Sequence, residues 1–200
     1  MMPLLSLAAA YLLGAIPFGY LLVKWKTGGD VRASGSGNIG ATNVLRTTGR
    51  AAGVATLLLD IAKGYLAVWL ASQLTQGDAL WTALAALAVM AGHAYPIFLK
   101  FKGGKAVASF LGAFLFITPV AVGASLLVFV AAVAWTKYIS LGSIICTACF
   151  PLAVWLLQKP PLPVLLASVL AGTFIIYKHS SNIQRLREGS EHVFRFASPK

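Results

Sequence analysis

Acidic residues are scarce in this chain: only 5 of its 200 residues are Asp or Glu, against 16 Lys and Arg. Charged residues make up 10% of the sequence, whereas about a quarter is usual for a soluble domain. Neither His93 nor His179 is followed by an aspartate at the spacing of a His-x-x-x-x-Asp dyad. The composition therefore excludes an ordinary soluble domain and leaves few candidates for a protein general base.

Cysteine is equally scarce, which excludes a disulfide framework. The two cysteines, Cys146 and Cys149, form a Cys-x-x-Cys pair inside an apolar segment with no histidine nearby, so we expect them to pack instead of binding a metal. We predict no metal and no cofactor. The chain has a net charge of +11 but no basic soluble surface and no base-stacking module of the kind that binds nucleic acid. We therefore expect membrane lipids and not nucleic acid as its partners.

Long apolar runs dominate the sequence, in which 58% of residues are hydrophobic. The run over 106–135 is too long for one helix, and Thr118-Pro119 is the expected break, which makes the segment before it short. We therefore predict an all-α integral membrane protein, a single membrane-embedded domain over residues 1–200 with seven transmembrane segments. The other runs are 3–23, 51–72, 79–99, 141–157 and 162–177.

The distribution of basic residues predicts the orientation. The segments 24–50, 100–105 and 136–140 and the tail from 178 carry 14 of the 16 Lys and Arg residues. Basic loops remain on the cytoplasmic side of a membrane. With seven segments, the N-terminus is expected outside and the C-terminus inside, and the first segment is expected to be an uncleaved helix.

A run of small polar residues occupies positions 34–43 of this otherwise apolar chain. Gly35, Gly37 and Gly40 match Gly-x-Gly-x-x-Gly, and Asp60 follows 20 residues after the last glycine, as in a dinucleotide-binding fingerprint. That fingerprint requires a strand, a turn and a helix on an open sheet, whereas a membrane segment precedes this run. We therefore reject the nucleotide interpretation and retain an anion-binding loop of backbone amides.

Side chains in and after this run extend the same interpretation. Ser36, Thr42 and Asn43 supply hydrogen-bond donors, and Arg46 supplies a guanidinium that matches phosphate. The alternative is a flexible polar connector whose arginine lies among lipid headgroups.

A second polar cluster spans 92–105 and ends in Gly103-Gly104-Lys105. It lacks the full spacing of a P-loop, so nucleotide hydrolysis is not indicated. Lys105, at the mouth of the predicted bundle, is expected to bind an anionic ligand. His93 is either a hydrogen-bonded structural residue or part of the site.

A third cluster spans 178–191. If it is helical, Lys178, Asn182 and Arg185 share one face, and His179 lies three residues before Asn182. That face either closes a polar site or rests on the membrane as an amphipathic tail. A separate pair, Asp60 and Lys63, has the spacing of helix neighbours inside an apolar segment, and we expect it to anchor the bundle or else to shape the polar site.

Together the three clusters resemble the cytoplasmic motifs of the bacterial membrane acylphosphate:glycerol-3-phosphate acyltransferases of the PlsY type. Their order, spacing and membrane setting match, and the resemblance runs the full length of the chain. Ala106 departs from the family pattern, where glycine is usual, and Ser109 replaces a threonine. The matching segments are Ser36-Gly37-Asn38 through Asn43 with Arg46, Gly92-His93 with Pro96 and Phe101 through Lys105, and Lys178-His179 with Asn182-Ile183 and Arg185-Leu186.

The resemblance implies transfer of a fatty acyl group from acyl phosphate to the 1-hydroxyl of glycerol 3-phosphate, giving lysophosphatidic acid and phosphate. It further implies seven helices in the bacterial inner membrane and a cytoplasmic site. The implied catalytic residues are Lys105, Arg46, His179 and Asn182. The implied substrate- and phosphate-binding residues are Ser36, Gly37, Asn38, Thr42, Asn43, Gly103, Gly104 and Ser143, the last in the short loop after Lys137.

An acyl phosphate is an activated anhydride, so the protein has mainly to position two anions and to stabilise an oxyanion. A phosphate oxygen or His179 can accept the hydroxyl proton, and the sequence leaves that choice open. The alternative function is a small transporter or flippase for phosphate-bearing solutes or lipids. Against it, the polar groups cluster at one membrane face and no inverted repeat is visible.

Overall fold

The computed structural model describes residues 1–194, which contain α-helices, two short 3-10 turns and no β-strand. The predicted all-helical class is confirmed. The helices of this part of the chain are α1 (Met2–Ala15), α2 (Phe18–Thr27), α3 (Ala41–Thr48), α4 (Arg50–Leu74), α5 (Ala79–Ala94), α6 (Val107–Ile117), α7 (Pro119–Thr136), α8 (Ile139–Gln158), α9 (Leu162–Lys178) and α10 (Ser180–Arg187).

Five stretches among the described residues are long and apolar enough to cross a membrane. A sixth is possible if α9 and α10, which are bent by 55° at His179, count as one span. The number seven and the orientation of the termini stay predictions. The five stretches are Met2–Thr27, Arg50–Leu74, Ala79–Leu99, Pro119–Thr136 and Ile139–Gln158.

The break predicted at Thr118-Pro119 is confirmed. Helix α6 ends at Ile117 and α7 begins with Pro119 at its first position, where the missing proline N–H costs no helical hydrogen bond. With 11 residues, α6 is about 16 Å long, about half the hydrocarbon thickness of a bilayer. The fourth apolar segment is therefore short, as its sequence indicates.

The first apolar run differs from its prediction as one continuous helix over 3–23. It is interrupted at Ile16-Pro17, where α1 ends and α2 begins. Proline cannot donate the hydrogen bond that would continue the helix, and its ring clashes with the preceding turn. The interruption leaves the carbonyl of Ile16 accessible to another partner, and Lys63 Nζ donates to it at 2.8 Å.

The chain divides into two compact units, one covering Met1–Ile117 and the other beginning at Thr118. In the first unit α4 packs against α1, α5 and α6. Gly64 and Gly112 permit close approach of α4 and α6, since a Cβ at either position would lie within 2.2 Å of a carbonyl oxygen of the other helix. In the second unit α8 packs against both α7 and α9.

One end of the first unit gathers its two polar loops. Side chains from the first loop and from the 3-10 turn Ile97–Leu99 share a buried apolar cluster: Val23, Val31, Ile39, Val44, Ala52 and Leu99. The segment 34–43 and the segment ending at Lys105 are therefore anchored to the same cluster. At the start of α5, the carboxylate of Asp78 caps the helix by accepting from the amides of Leu80 and Trp81.

Candidate active site

Asn43 organises the first polar loop. Its side chain is 2% exposed, and Nδ2 donates to the carbonyls of Val31, Ser34 and Asn38 at 3.2, 3.0 and 2.9 Å. Its Oδ1 accepts from the backbone amide of Ser36 at 2.8 Å. A single amide side chain thus fixes the loop at four points, and these contacts occupy both of its polar atoms.

This arrangement differs from the expectation that Asn43 would itself offer a donor to phosphate. A carboxamide has two N–H groups, and here three backbone carbonyls share them. The residue lies in the first turns of α3, where its side chain points back over the loop that precedes the helix. Sequence spacing indicated that Asn43 belongs to the loop but could not indicate which groups it binds.

The loop curls because two of its glycines adopt left-handed backbone angles. Gly35 has φ of 60° and Gly37 has φ of 71°, a region that costs residues with a Cβ about 1 to 2 kcal/mol. A Cβ on Gly35 would also lie 2.2 Å from Asn43 Oδ1. Asn38 closes the turn by accepting from the amide of Gly40 at 2.8 Å.

Helix α3 begins immediately after this turn, with Gly40 as its N-cap. Ser36 in the preceding loop and Thr42 in the first turn of α3 are exposed, as is Arg46 in its last turn. Thr42 and Arg46 are four residues apart and so lie on the same face of α3. The start of a helix presents backbone amides and a partial positive charge, which suit an anion.

The second polar loop doubles back on the end of α5. The amide of Gly103 donates to Ala94 O at 3.2 Å, and the amide of Gly104 donates to His93 O at 3.0 Å. Lys105 follows and is partly exposed. Ala106, where the family pattern has glycine, is buried with φ of 62°, a left-handed conformation that accounts for the usual glycine.

In the second unit, His179 lies at the bend between α9 and α10 and is 3% exposed. Its Nδ1 lies 2.8 Å from the carbonyl oxygen of Ile175. Because a carbonyl oxygen can only accept, Nδ1 carries the proton, and in the neutral ring Nε2 carries the lone pair. The ring is thereby fixed in the tautomer that a general base at Nε2 requires.

Glu191 organises the residues around Asn182, a role that the sequence did not suggest. Its carboxylate accepts from Asn182 Nδ2 at 2.7 Å, from Ser140 Oγ at 2.9 Å and from Arg185 Nε at 2.7 Å. Burial opposes ionisation of the carboxyl, but these hydrogen bonds outweigh it and lower the pKa of Glu191.

A helix cap brings Glu191 to this position. Gly189 has φ of 68°, its amide donates to Leu186 O, and the amide of Ser190 donates to Arg185 O. This is a Schellman motif, in which a left-handed glycine reverses the chain after the helix. Gly189 in the sequence was the signal that α10 ends there and that the following residues turn back toward it.

Ser143 was expected in a loop after Lys137 but lies in helix α8, which already begins at Ile139. Lys137 has φ of 64° and ends α7, so the connection is only two residues long. The hydroxyl of Ser143 donates to Ile139 O at 2.9 Å and is 3% exposed. The loop placement was therefore wrong, because apolar residues after Tyr138 continue the helix across the serines.

Each of the five acidic residues has a polar partner. Asp60 Oδ1 lies 2.8 Å from Lys63 Nζ, which confirms the predicted helix-neighbour pair. Asp30 pairs with Arg32 at 2.6 Å, which lowers the pKa of that carboxyl. Glu188 accepts from Gln184, and Asp78 and Glu191 are described above. Within residues 1–194 no three His, Cys, Asp or Glu side chains are grouped so as to hold a metal ion.

The structure thus brings the predicted residues together in two sets. In the first unit, Ile39 of the first polar loop, Val44 of α3 and Leu99 of the segment that ends at Lys105 lie in one anchoring cluster. In the second unit, Asn182 and Ser140 share the carboxylate of Glu191, and His179 caps the same helix α10.

Nearly the whole chain is similar to proteins of known function. Residues 4–189 match the sequence profile of a family described as glycerol-3-phosphate acyltransferase. A glycerol-3-phosphate acyltransferase of Geobacter sulfurreducens is 50% identical over 192 residues, which are 96% of this chain and 97% of that protein. Another from Geobacter metallireducens is 51% identical over 192 residues with the same coverage.

Two solved structures are similar in fold. Both are crystal structures of PlsY, described as an integral membrane glycerol 3-phosphate acyltransferase. The glycerol 3-phosphate form has a TM-score of 0.92 and 40% sequence identity, and it covers 98% of this chain and 96% of that chain. The lysophosphatidic acid form has a TM-score of 0.90 and 39% identity with the same coverage. The present fold is therefore that of an integral membrane protein.

Proposed function

The chain belongs to the glycerol-3-phosphate acyltransferase family, and on that premise we propose that it transfers a fatty acyl group from acyl phosphate to the 1-hydroxyl of glycerol 3-phosphate. The products are lysophosphatidic acid and inorganic phosphate. The observation that carries the proposal is the match, at a TM-score of 0.92, to a PlsY structure in its glycerol 3-phosphate form.

In the first unit, the substrate phosphates bind to cations and backbone amides. Ser36 and Thr42 lie exposed beside the start of α3, and Arg46 lies exposed in its last turn. Lys105 follows the Gly103-Gly104 turn. Hydrogen bonds to charged groups contribute about 1.5 to 3 kcal/mol each, so a few such donors suffice to hold a phosphate. Asn43 and Asn38 contribute indirectly, by fixing the loop that carries Ser36 and Gly37.

The reaction forms one bond and breaks another. The 1-hydroxyl oxygen of glycerol 3-phosphate attacks the acyl carbonyl carbon, and collapse of the tetrahedral intermediate breaks the bond from that carbon to the phosphate oxygen. Inorganic phosphate leaves with the bonding electrons. Positive groups such as Lys105 and Arg46 stabilise the oxyanion and the leaving phosphate.

The hydroxyl proton passes to an oxygen of a substrate phosphate, whose second pKa near 6 suits neutral pH. His179 is the protein group best suited to take its place, because its tautomer leaves the lone pair on Nε2. In the second unit, Asn182 is a further catalytic residue, and Ser143 of α8 contributes to substrate binding. A His179→Gln variant that loses the acidic limb of the pH-rate profile would assign the proton to His179, whereas an unchanged limb assigns it to the phosphate.

We place this activity at the cytoplasmic face of the bacterial inner membrane, in one functional domain with seven membrane segments and the N-terminus outside. The basic residues of segments 24–50 and 100–105 support this orientation. The test labels single cysteines introduced at Gly29 and at Gln76 with a membrane-impermeant reagent, in protein whose Cys146 and Cys149 are replaced by alanine. Reaction from the cytoplasmic side only at the first position agrees with the proposal, and the reverse pattern contradicts it.

The activity itself is tested with purified protein in detergent, given long-chain acyl phosphate and glycerol 3-phosphate without added metal. We expect lysophosphatidic acid and phosphate in equal amounts. Lys105→Ala and Arg46→Ala should each lower kcat/KM about 10- to 100-fold, in line with the loss of a charged phosphate contact of about 1.5 to 3 kcal/mol. Lys159→Ala, in the turn between α8 and α9, is the matched lysine control and should retain wild-type turnover. Solute flux in vesicles without acyl product would instead support a transporter.

A further inference from the structure

Three ionisable side chains are buried together in the first unit. Asp60 and Lys63 of α4 are 2% and 3% exposed, and His93 of α5 is 4% exposed. Buried charge inside a membrane span is costly and is retained where it has a specific task. Neither the phosphate contacts nor the proton transfer proposed above uses these three residues.

The three side chains lie next to one another in a row. Asp60 Oδ1 lies 2.8 Å from Lys63 Nζ and 3.6 Å from His93 Nδ1. Lys63 is fixed in turn, because its Nζ donates to the carbonyl of Ile16 at 2.8 Å, where Pro17 interrupts the first span. The carboxylate of Asp60 is thus fixed by a lysine that is itself held to the backbone, and it lies beside the imidazole of His93.

The other edge of the His93 ring faces the second polar loop. A Cβ added to Gly104 would lie 2.1 Å from His93 Nε2, so the ring occupies the space over that glycine. The backbone of the same histidine accepts from the amide of Gly104 at 3.0 Å, and Gly103 donates to the neighbouring Ala94 carbonyl. His93 therefore contacts the loop through both its ring and its carbonyl.

We propose that Lys63 and Asp60 fix the ring of His93, and that His93 in turn sets the position of the Gly103-Gly104-Lys105 loop for the substrate phosphate. The three are positioning residues, since they act through the loop. This inference rests on the proposed function for the role of Lys105. A misplacement of about 1 Å at a site of this kind can cost about 100-fold in rate, so a buried support for the loop has a large effect on activity.

The double variant Asp60→Asn, Lys63→Met tests this proposal while removing both buried charges at once. Removing one partner of a buried ion pair leaves an uncompensated buried charge, which is strongly destabilising, whereas the double variant leaves none. We expect a Tm close to wild type and faster hydrogen exchange of the peptide covering 100–106. We also expect an increase of about tenfold in KM for glycerol 3-phosphate or for acyl phosphate, with little change in kcat. An unchanged KM and unchanged loop exchange overturn the proposal, whatever the Tm.

If the double variant does not fold, KM and loop exchange are measured in Asp60→Glu, which keeps the ion pair but shifts the carboxylate. The same changes support the proposal, and no change in either overturns it. Thr82→Val is the matched control, since Thr82 is a buried polar residue of α5 whose hydroxyl donates to Asp78 O, 11 residues from His93. It should leave both KM and loop exchange unchanged. If the wild-type protein does not transfer an acyl group, the proposed function is refuted. Hydrogen exchange of the loop still tests the positioning role in that case, because it does not depend on turnover.

Discussion

Replacing Asn43 by aspartate tests whether this side chain holds the first polar loop from within. The substitution preserves shape and the acceptor for the Ser36 amide, but it replaces the two N–H donors by an oxygen that faces the carbonyls of Val31, Ser34 and Asn38. Two lost hydrogen bonds of about 1 kcal/mol each, with at least about 1 kcal/mol for a buried carboxylate oxygen left without a donor, give about 3 kcal/mol.

Hydrogen exchange of the peptide spanning 31–43 measures this effect directly. A loss of about 3 kcal/mol accelerates exchange at least about 100-fold, since every 1.4 kcal/mol is a factor of ten. The new carboxyl recovers a donor only by binding a proton, so the loss should grow as pH rises. Turnover should fall with the loss of loop order.

The same substitution at Asn38 is the matched control. Asn38 Oδ1 accepts from Gly40 N at 2.8 Å, and aspartate keeps that acceptor. Loop exchange in Asn38→Asp should therefore change less than about threefold, in line with the small cost of an Asn-to-Asp change in such a turn. Equal protection of the loop in the two variants, or an Asn43→Asp variant with a raised KM and an intact loop, would refute the structural role of Asn43.

Three further predictions concern other parts of the chain. Glu191→Gln should destabilise the protein by about 1 to 3 kcal/mol in thermal unfolding, because Arg185 loses a charged acceptor. Since the pKa of Glu191 lies below its ordinary 4.5 in the folded state, its stabilisation is complete above that value and declines as pH falls through the folded pKa, a decline that the variant should lack. Gly37→Ala, at a φ of 71°, should lower Tm more than Gly40→Ala, at −76°. Turnover should be unchanged by a chelator, and a loss restored by a divalent cation would contradict the metal-free reaction.

The helical architecture could be read from apolar runs and proline. The length of 106–135 together with Pro119 predicted a break that the structure has, with α6 ending at Ile117. Pro17 carries the same physical signal and also breaks its span, but the run over 3–23 is short enough to pass as one helix. Proline inside a span does not always have this effect, since Pro151 lies within α8.

The candidate site could be predicted as a set of segments but not as a set of contacts. Asn43, Arg46 and Lys105 stand out because polar residues are rare in an apolar chain. Whether Asn43 binds a ligand or three carbonyls depends on the path of the preceding loop, which sequence spacing does not determine. Glu191 reaches Asn182 and Ser140 only because Gly189 reverses the chain, a long-range consequence of one left-handed residue.

The central claim, attack of the glycerol 3-phosphate hydroxyl on the acyl carbonyl, is tested most directly by the fate of an isotope. Glycerol 3-phosphate carrying oxygen-18 in its 1-hydroxyl is incubated with acyl phosphate and purified protein, and both products are analysed by mass spectrometry. We expect the label wholly in the ester of lysophosphatidic acid, with unlabelled phosphate released in equal amount. Label in a phosphate product, or an acyl thioester as the only donor that reacts, would contradict the proposed reaction.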